Sequence, residues 1–381
     1  MKIAHVGLAS YYTDGMAYQD NQLAEQNVRD GHKVLYVSNA QKYESGMIVD
    51  TGYEDIVLPC GVRLVRLPYI RVLGRLFSEK LRAVKELYAL LTDFSPDVIL
   101  CHGLAAWSVR DVVRYKHLHP EVKLYADTHA CAANSGGNWL SLHLLHRGLY
   151  RLCMRSALPY LEKYFYITSD CRRFSEKNYG VPASIMEFYP LGGVMPDDEA
   201  YRMWHMKRRA ELCMEDNELL FVHSGKLDAE KRTEELLKAF AAVPGLKARL
   251  VVIGSMTDDM KSVLLPLMAA DSRVEYMGWR NAEELKEYLC AADMYLQPGS
   301  ESSTMQNAVC ASCPVMLYPH RSYMEDYDYG NIVWTKTAGD MEDCFRKIAV
   351  GELRLDVLAE KSRLCALELL DYRRLAARLY R

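Results

Sequence analysis

The sequence lacks the features that define several large classes of protein. Within its 381 residues, no apolar run approaches the ~18 residues that a membrane-spanning helix needs. Residues 1–10 contain one lysine and then alternate as a strand does, so we expect no secretory signal. The net charge of −3 provides no basic surplus for a nucleic acid. We therefore expect a cytoplasmic protein that binds no nucleic acid.

Motifs for disulfides, metals and common nucleotides are missing as well. The eleven cysteines are odd in number and mostly lie in apolar runs, which is typical of reduced thiols. Cys310 and Cys313 form a C-x-x-C among small apolar residues, and we interpret them as core residues rather than a redox pair. No second such pair accompanies them, so we expect no metal. Neither G-x-G-x-x-G after a strand nor G-x-x-x-x-G-K-[ST] occurs, so dinucleotide oxidoreductases and P-loop kinases are not indicated.

The sequence instead alternates short apolar strands with amphipathic helices, which predicts parallel sheets covered on both faces. In the first half, strands are predicted at 2–8, 33–37, 62–67, 97–101, 124–127 and 164–168, and long helices at 71–94 and 139–160. In the second half, strands are predicted at 219–223, 248–254, 273–277, 294–298 and 314–318, and helices at 199–212, 229–242, 257–269, 282–291 and 302–311.

The length favours two domains, and the segment 190–198, PLGGVMPDD, is the best boundary between them. We therefore predict an α/β fold with two doubly wound domains, 1–195 and 196–360, that face each other across a cleft. The end of the chain, 353–381, has the pattern of one continuous helix, and 361–381 is predicted to pack on the first domain. Ligands of such sheets bind beyond the carboxyl ends of the strands.

The stretch 221–233, FVHSGKLDAEKRT, predicts an anion site. A buried strand ends at Ser224 and Gly225, and Asp228 is the predicted N-cap of a following helix. Three cations lie around this turn, and they are Lys226, Lys231 and Arg232. Free backbone N–H groups at such a turn already favour an anion. A solvated basic helix face is the alternative, and the clustering of the cations favours the anion.

The order of motifs resembles that of the GT-B glycosyltransferases of family 4, the group 1 set, over nearly the whole chain. GKLDAEKR (225–232) resembles the family's G-R-L-x-x-x-K-G turn, and DGMAYQDNQLAEQNVRDGHKV (14–34) resembles its acceptor-side loop and helix. The segments 248–254, 274–279 and 291–316 resemble its donor-domain blocks. The resemblance implies a retaining transferase that moves a sugar from a UDP- or GDP-linked donor to a saccharide or lipid-linked acceptor. It also implies surface polysaccharide assembly as the pathway, with no cofactor and no bound metal.

The resemblance assigns roles to individual residues. Lys226 and Lys231 hold the departing diphosphate, and His129, at the end of a strand, lies near the donor sugar, although a structural role for that histidine stays open. The donor-binding residues are Ser224, Gly225, Arg232, Gly278, Gly299, Ser300, Glu301, Ser302, Gln306 and Asn307. The acceptor-side residues are Gly15, Tyr18, Gln19, Asn21 and His102.

The chain departs from the family at one motif. The family often carries two glutamates eight residues apart, and these positions fall here on Gly299 and Asn307. Glu301 is out of register by two, so both a contact with the sugar and plain surface exposure stay open for it. Asn307 can still accept from a ribose diol as a neutral partner. Because of this departure, the chain could instead be a non-catalytic relative that binds a nucleotide-sugar, or a partner subunit of an active transferase. A GT-B isomerase or phosphorylase is a more remote alternative.

The predicted helix 139–160 combines leucine and tyrosine with basic side chains. These are His143, His146, Arg147, Arg151 and Arg155. One face could contact an anionic bilayer that holds a lipid-linked acceptor, at the inner face of a membrane. We favour a helix that packs within its domain and exposes a basic face to solvent, with weak peripheral membrane contact as the alternative.

Overall fold

The computed structural model describes residues 1–44, 47–132, 134–135, 139 and 141–380. The chain divides into two compact units. The first comprises Met1–Pro190 together with the segment from Leu375 onward, and the second comprises Leu191–Arg374. Each unit is built around its own sheet.

The first unit contains an eight-stranded, mainly parallel sheet. The strands of this unit, including two outside the sheet, are β1 Lys2–Gly7, β2 Lys33–Asn39, β3 Gln41–Glu44, β4 Met47–Asp50, β5 Glu54–Val57, β6 Arg63–Leu67, β7 Val98–His102, β8 Lys123–Thr128, β9 Lys163–Tyr166 and β10 Met186–Phe188. The sheet has the order β10-β9-β8-β7-β1-β2-β6-β5, and β3 and β4 form a separate hairpin. β5 runs antiparallel to β6, and every other neighbouring pair in the sheet is parallel.

The helices of the first unit cover both faces of this sheet. They are α1 Gln19–Arg29, α2 Arg75–Leu81, α3 Leu87–Phe94, α4 Val109–Leu118, α5 Arg151–Ala157 and α6 Ser169–Tyr179. The strand β7 is buried along its whole length, as is β1 from Ile3 onward. Because a doubly covered strand has no solvent face, its sequence runs almost continuously apolar instead of alternating.

The predicted single helix over 71–94 is wrong. The chain forms α2 and α3, and Arg82, directly after α2, has a left-handed backbone with φ 53°. Val84 bridges to Tyr69, and the backbone of Val84 exchanges hydrogen bonds with the Ser108 hydroxyl at 3.0 and 3.2 Å. The apolar periodicity is present in both pieces, but these long-range backbone pairings replace the helix between them.

The predicted helix over 139–160 is helical where the structure describes it, but its turns change in type. It begins with π-helical turns at Ser141–Tyr150, continues as α5 and ends in a 3₁₀ turn at Leu158–Tyr160. Leu140 lies outside the described residues. Among the residues that the structure describes, no helix is both long enough and apolar enough to cross a membrane.

The second unit contains a six-stranded parallel sheet in the order β13-β12-β11-β14-β15-β16. Its strands are β11 Leu219–Ser224, β12 Ala248–Ile253, β13 Val274–Gly278, β14 Met294–Gln297, β15 Val315–Leu317 and β16 Ile332–Trp334. Its helices are α7 Asp198–Glu211, α8 Thr233–Ala241, α9 Asp258–Ala270, α10 Ala282–Ala291, α11 Thr304–Cys310, α12 Arg321–Asp326, α13 Ala338–Ala349 and α14 Leu355–Cys365. Phe221 stacks on Phe345 in its core, and Phe240 packs edge-on against both rings.

The predicted continuous helix over 353–381 is also wrong. After α14 and π-helical turns at Ala366–Leu370, Asp371 is extended, and a short helix α15 (Tyr372–Ala377) follows. The Asp371 carboxylate accepts hydrogen bonds from the backbone and guanidinium of Arg373, which fixes this break. From Leu375 onward the chain belongs to the first unit, where the Tyr189 hydroxyl donates to the Leu375 carbonyl at 2.8 Å.

Candidate functional site

The turn after β11 brings a lysine against a glycine. Gly225 has φ +138°, and a Cβ added there would lie 2.8 Å from Lys231 Cε. The Lys231 side chain therefore crosses directly over the turn, where the positive φ of Gly225 favours glycine. A Cβ on Gly299, in the loop after β14, would lie 2.2 Å from the Glu230 carbonyl oxygen. Because β11 and β14 are adjacent parallel strands, both glycine loops lie at the same carboxyl edge of the sheet.

The predicted cations differ in their surroundings. Lys231 is only 6% exposed, and its Nζ donates to the Ser300 carbonyl at 3.1 Å. Burial lowers the pKa of Lys231, although Asp228 and Glu230 partly oppose that shift. An ammonium has three donors, so two donors of Lys231 are left for an anion. Lys226 is exposed, and the described residues include no ion-pair partner for it.

Arg232 is committed to contacts within the protein. Its guanidinium forms a bidentate pair with Glu235 at 2.6 and 2.8 Å and donates to the Pro298 carbonyl at 3.0 Å. It also lies over the Tyr318 ring, 5.4 Å from the centroid. The arrangement fixes the turn to the loop after β14, so Arg232 holds the two loops together.

Two expectations about this turn are wrong. Asp228 does not cap a helix: a 3₁₀ turn at Ala229–Lys231 follows it, and among the described residues its side chain makes no capping bond. The helix α8 begins only at Thr233, because Arg232 adopts a left-handed backbone with φ 55°. The cations therefore precede the helix instead of lying in its first turn.

The backbone N–H of Gly225 is not free either, since it donates to the Ile253 carbonyl at 3.0 Å. The Ser224 side chain is buried, with its hydroxyl 3.2 Å from that of Tyr295. The lysine side chains, and not these two residues, are therefore the groups of the turn that can reach an anion.

The loop after β14 and the start of α11 carry most of the remaining residues that were predicted to bind the donor. The Ser300 backbone N–H donates to the Glu230 carbonyl at 2.9 Å, and that of Ser302 donates to the Tyr323 hydroxyl at 3.1 Å. Glu301 is exposed, and its carboxylate accepts a hydrogen bond from the Ser322 hydroxyl. The loop is thus held in place, and its exposed Glu301 is tied to the buried Ser322.

The other predicted residues of this edge are placed differently. Gln306 is buried within α11, whereas Asn307 is partly exposed and its amide is 3.5 Å from the Ser303 carbonyl. Gly278 ends β13 with φ +68°, and the exposed Trp279 follows it. The sequence reasoning missed His320, whose Nε2 lies 3.0 Å from the Gly299 carbonyl. Its position just after β15 was the feature of the sequence that could have identified it.

In the first unit, a buried polar cluster lies at the carboxyl ends of β1, β7 and β8. His102 Nδ1 lies 2.7 Å from Asp127 Oδ2 and 3.3 Å from Asp20 Oδ1. His102 Nε2 lies 2.9 Å from His5 Nδ1, and His5 Nε2 lies 2.8 Å from Asn27 Oδ1. Since Asn27 Oδ1 can only accept, His5 carries its proton on Nε2 and accepts from His102, which leaves His102 protonated on both nitrogens.

The pKa shifts of this cluster agree with that proton count. Burial opposes the charged form of His102, but Asp20 and Asp127 outweigh it and raise the pKa of His102 to about 9. Burial and the His102 charge lower the pKa of His5 to about 3. Although burial alone would raise the pKa of Asp20, the charges of His102 and His129 lower it. The cluster is thus a buried imidazolium between two carboxylates, with a neutral histidine beside it.

His129 follows β8 at this same edge and is partly buried. Its Nε2 has no hydrogen-bond partner among the described residues, and the Asn134 amide donates to its carbonyl at 2.8 Å. His102 is only 4% exposed, so the cluster holds it inside the fold. The structure therefore brings His129, His102 and the unpredicted Asp20 into electrostatic reach of one another.

The remaining residues that were predicted to lie on the acceptor side divide into two groups. Gly15 and Tyr18 are exposed in the loop before α1, and Gly15 has φ +73°. Gln19 and Asn21 are buried, and the Asn21 amide holds the loop by donating to the Thr13 carbonyl at 2.9 Å.

The fully buried Arg66 also anchors this loop. Its guanidinium pairs with Asp14 at 2.8 Å and Glu54 at 2.7 Å and donates to the Tyr12 carbonyl. Arg66 was not predicted from the sequence. It could have been identified because a basic residue inside an apolar strand is unusual and needs a partner.

Comparison with known protein families identifies the family of this chain. Residues 14–192 match the glycosyl transferase 4-like domain, and residues 207–350 match glycosyl transferases group 1. The chain belongs to the group 1 glycosyltransferases. This confirms the family resemblance found in the sequence. No curated protein matches this glycosyltransferase significantly in sequence.

Solved structures similar to this glycosyltransferase cover nearly all of it. HepE from Anabaena in complex with UDP is 13% identical with a TM-score of 0.67, over 99% of this chain and 98% of HepE. Sucrose-phosphate synthase from Thermosynechococcus elongatus is 15% identical with a TM-score of 0.63, over 99% and 97%. WaaG, a glycosyltransferase involved in lipopolysaccharide biosynthesis, is 16% identical with a TM-score of 0.59, over 99% and 98%. These likenesses establish the GT-B fold and confirm the predicted fold class.

Proposed function

We propose that this group 1 glycosyltransferase moves a sugar from a nucleotide-sugar to a saccharide or lipid-linked acceptor, with retention of the anomeric configuration. The observation that carries the proposal is the turn after β11, where the buried Lys231 crosses Gly225 beside the exposed Lys226. The likeness to HepE, which was crystallised with UDP, favours UDP over GDP as the leaving group. The likeness to WaaG, which is involved in lipopolysaccharide biosynthesis, supports a role in surface polysaccharide assembly, which we propose to take place in the cytoplasm.

The chemistry requires positive charge where the leaving group gains negative charge. Breaking the glycosidic bond releases a nucleoside diphosphate, and fixed cations stabilise that developing charge more than the ground state. Lys231 is held in place by the Ser300 carbonyl, so little reorganisation is needed when the bond breaks. Lys226 adds a second, mobile cation from the solvent side. Two lysines supply the charge that a divalent ion would otherwise provide, so we propose that turnover is metal-independent.

The sugar is held by neutral and singly charged groups. Glu301 is exposed on the loop after β14, and Asn307 occupies the position of the second family glutamate. In this proposal Glu301 accepts from a sugar hydroxyl and Asn307 accepts from the ribose diol. No carboxylate in the sequence stands out as a covalent nucleophile, which favours a same-face mechanism without a glycosyl-enzyme intermediate. The unpartnered Nε2 of His129 supports its assignment to a hydroxyl of the donor sugar.

The second candidate function is binding of a nucleotide-sugar without turnover, as a partner of an active transferase. It is favoured by one observation, namely that Gly299 and Asn307 stand where the family often has glutamates. A Cβ at position 299 would clash with the Glu230 carbonyl oxygen, so the observed loop has no room for a glutamate there.

A binding screen followed by an assay of donor hydrolysis tests the proposal. A ligand at a hundred times its Kd adds about 2.7 kcal/mol of stability, so a thermal melt with UDP, GDP and UDP-glucose identifies the nucleotide. We expect UDP compounds to stabilise the protein and UDP-glucose to release UDP slowly, with or without EDTA. Stabilisation without any release of UDP would favour the non-catalytic function. No stabilisation by any nucleotide would contradict both.

A further inference from the structure

The loop after β8 brings one thiol against another. Because β8 and β9 are adjacent parallel strands, with Thr128 opposite Tyr166, the loop after β8 and the start of α6 lie at the same edge of the sheet. Cys131 lies in this loop and Cys171 in the first turn of α6, and a hydrogen bond joins their side chains. Two cysteines that are far apart in the sequence are therefore in contact.

The hydrogen bond between the two thiols has a direction. Contact with Cys131 and burial raise the pKa of the Cys171 thiol, although the Thr168 hydroxyl, which donates to the Cys171 sulfur at 3.3 Å, opposes that shift. A hydrogen bond that raises the pKa of an acid is one that the acid donates, so Cys171 donates its S–H to the sulfur of Cys131. The accepting sulfur is the one that ionises more readily. The dipole at the N-terminus of α6 also favours a thiolate there.

The two sulfurs differ in their access to solvent. Cys171 is only 2% exposed, whereas Cys131 is partly exposed. A small oxidant that arrives from solvent therefore meets Cys131 first, with Cys171 directly behind it. An accessible thiolate next to a second thiol is the arrangement in which a sulfenic acid is captured as a disulfide.

Cys310 and Cys313 in the second unit provide a contrast. Both are 1% exposed, and burial raises the pKa of each thiol well above its usual value. A peroxide therefore meets neither of them as an accessible thiolate, although C-x-x-C is the more familiar redox spacing. Contact and exposure, and not spacing in the sequence, select the reactive pair.

We propose that Cys131 and Cys171 are a modification site, which hydrogen peroxide converts to a reversible disulfide. The Cys131 thiolate attacks the O–O bond, which yields a sulfenic acid on Cys131 and releases hydroxide. The Cys171 sulfur then attacks the sulfenic sulfur, and the S–S bond forms as the hydroxyl leaves as water with the Cys171 proton. The two thiols lose two electrons and the peroxide gains two, and a dithiol reverses the bond.

The disulfide joins α6 to the loop that carries His129. In the reduced protein Asn134 holds this loop, because its amide donates to the His129 carbonyl at 2.8 Å and its Oδ1 accepts from the Cys131 N–H at 2.9 Å. Closing two hydrogen-bonded sulfurs to a covalent bond of about 2.0 Å draws the loop toward α6. The proposed function places His129 on the donor sugar, so, resting on that function, we expect oxidation to slow the release of UDP about tenfold.

Peptide mapping of the full chain tests for the bond without any need for sugar transfer. The tryptic peptides 124–147 and 164–172 contain one cysteine each. We expect hydrogen peroxide to link these two peptides with the loss of two hydrogens, and dithiothreitol to separate them. The linked protein should melt about 5 °C higher than the reduced protein.

Cysteine variants provide the controls for this mapping. Cys131→Ser and Cys171→Ser should each abolish the link. The matched control is Cys213→Ser, which removes an exposed thiol of the second unit and should leave the link intact. A sulfinic acid on Cys131 without linked peptides, or a link from Cys131 to a different cysteine, would overturn the assignment.

Two further outcomes separate the modification from the catalytic proposal. An equal yield of the link in protein unfolded by urea before oxidation would show that the fold does not bring the thiols together, and it would overturn the site. A link in a protein that releases no UDP would support the site and contradict the proposed turnover. A link that leaves an active protein at its full rate would refute the effect on His129.

Discussion

Replacing Lys231 by methionine removes one charge from the turn after β11 and keeps most of the side-chain volume that crosses Gly225. The wild-type ammonium is 6% exposed and held by the Ser300 carbonyl at 3.1 Å. An ion pair at about 4 Å contributes roughly 4 kcal/mol at an effective dielectric constant near 20. Removing a preorganised donor to a developing anion costs about 3 kcal/mol of transition-state stabilisation in comparable sites. We therefore expect Lys231→Met to lower turnover on the order of a hundredfold to a thousandfold.

The assay is the steady-state release of UDP from the donor that the binding screen identifies. Thermal stability should change little, because the lost hydrogen bond to Ser300, worth about 1 kcal/mol, is offset by relief from burying an ammonium. The matched control is Lys238→Met, since Lys238 is an exposed lysine of α8 paired with Glu234 at 2.6 Å. A fall of less than tenfold in Lys231→Met, or an equal fall in Lys238→Met, would refute the reasoning.

Three further predictions concern the loops and the buried cluster. Gly299→Ala should abolish the nucleotide-induced shift of the melt, because its Cβ would lie 2.2 Å from the Glu230 carbonyl oxygen; an unchanged shift would contradict the close approach of the two loops. The pKa of His102 is about 9 in the folded state against 6.5 in the unfolded state, which corresponds to a contribution to the free energy of unfolding on the order of 3 kcal/mol. This contribution is fully present below pH 6.5 and is lost as the pH rises through 9. In Asp127→Asn that alkaline loss should shrink, and urea melts between pH 6 and 10 would show whether it does. Arg66→Met should lower the free energy of unfolding by about 3 kcal/mol, because it leaves Asp14 and Glu54 without their buried partner, and a urea melt equal to wild type would contradict this.

The sequence was sufficient for the fold class and for the strand and turn at 219–225 that precede the predicted anion site. The run 219–224 forms β11 because it is continuously apolar and stops at a glycine, which is a local signal. The conformation of Arg232 was not predictable in the same way. Its left-handed backbone is fixed by contacts with Pro298 and Tyr318, which lie more than sixty residues away in the chain. The predicted N-cap at Asp228 failed for that reason.

The histidine cluster shows a second limit of sequence reasoning. His5, His102 and Asp127 meet only because β7 pairs with both β1 and β8, and no local pattern gives the order of strands in a sheet. A signal did exist, since His5 interrupts an apolar strand and a buried polar side chain needs a partner. Prediction omitted the strands β3, β4, β5, β10 and β16 and the short helix α12, which are short or lie at the edges of the sheets, where periodicity has few residues to act on. It also omitted the longer helices α4, α6 and α13.

The most direct test of the central claim is a crystal structure of the protein with UDP. We expect the diphosphate beside the turn after β11, with Lys231 Nζ within about 3 Å of a phosphate oxygen and Lys226 turned toward it. A diphosphate bound elsewhere, or bound with both lysines directed into solvent, would contradict the account.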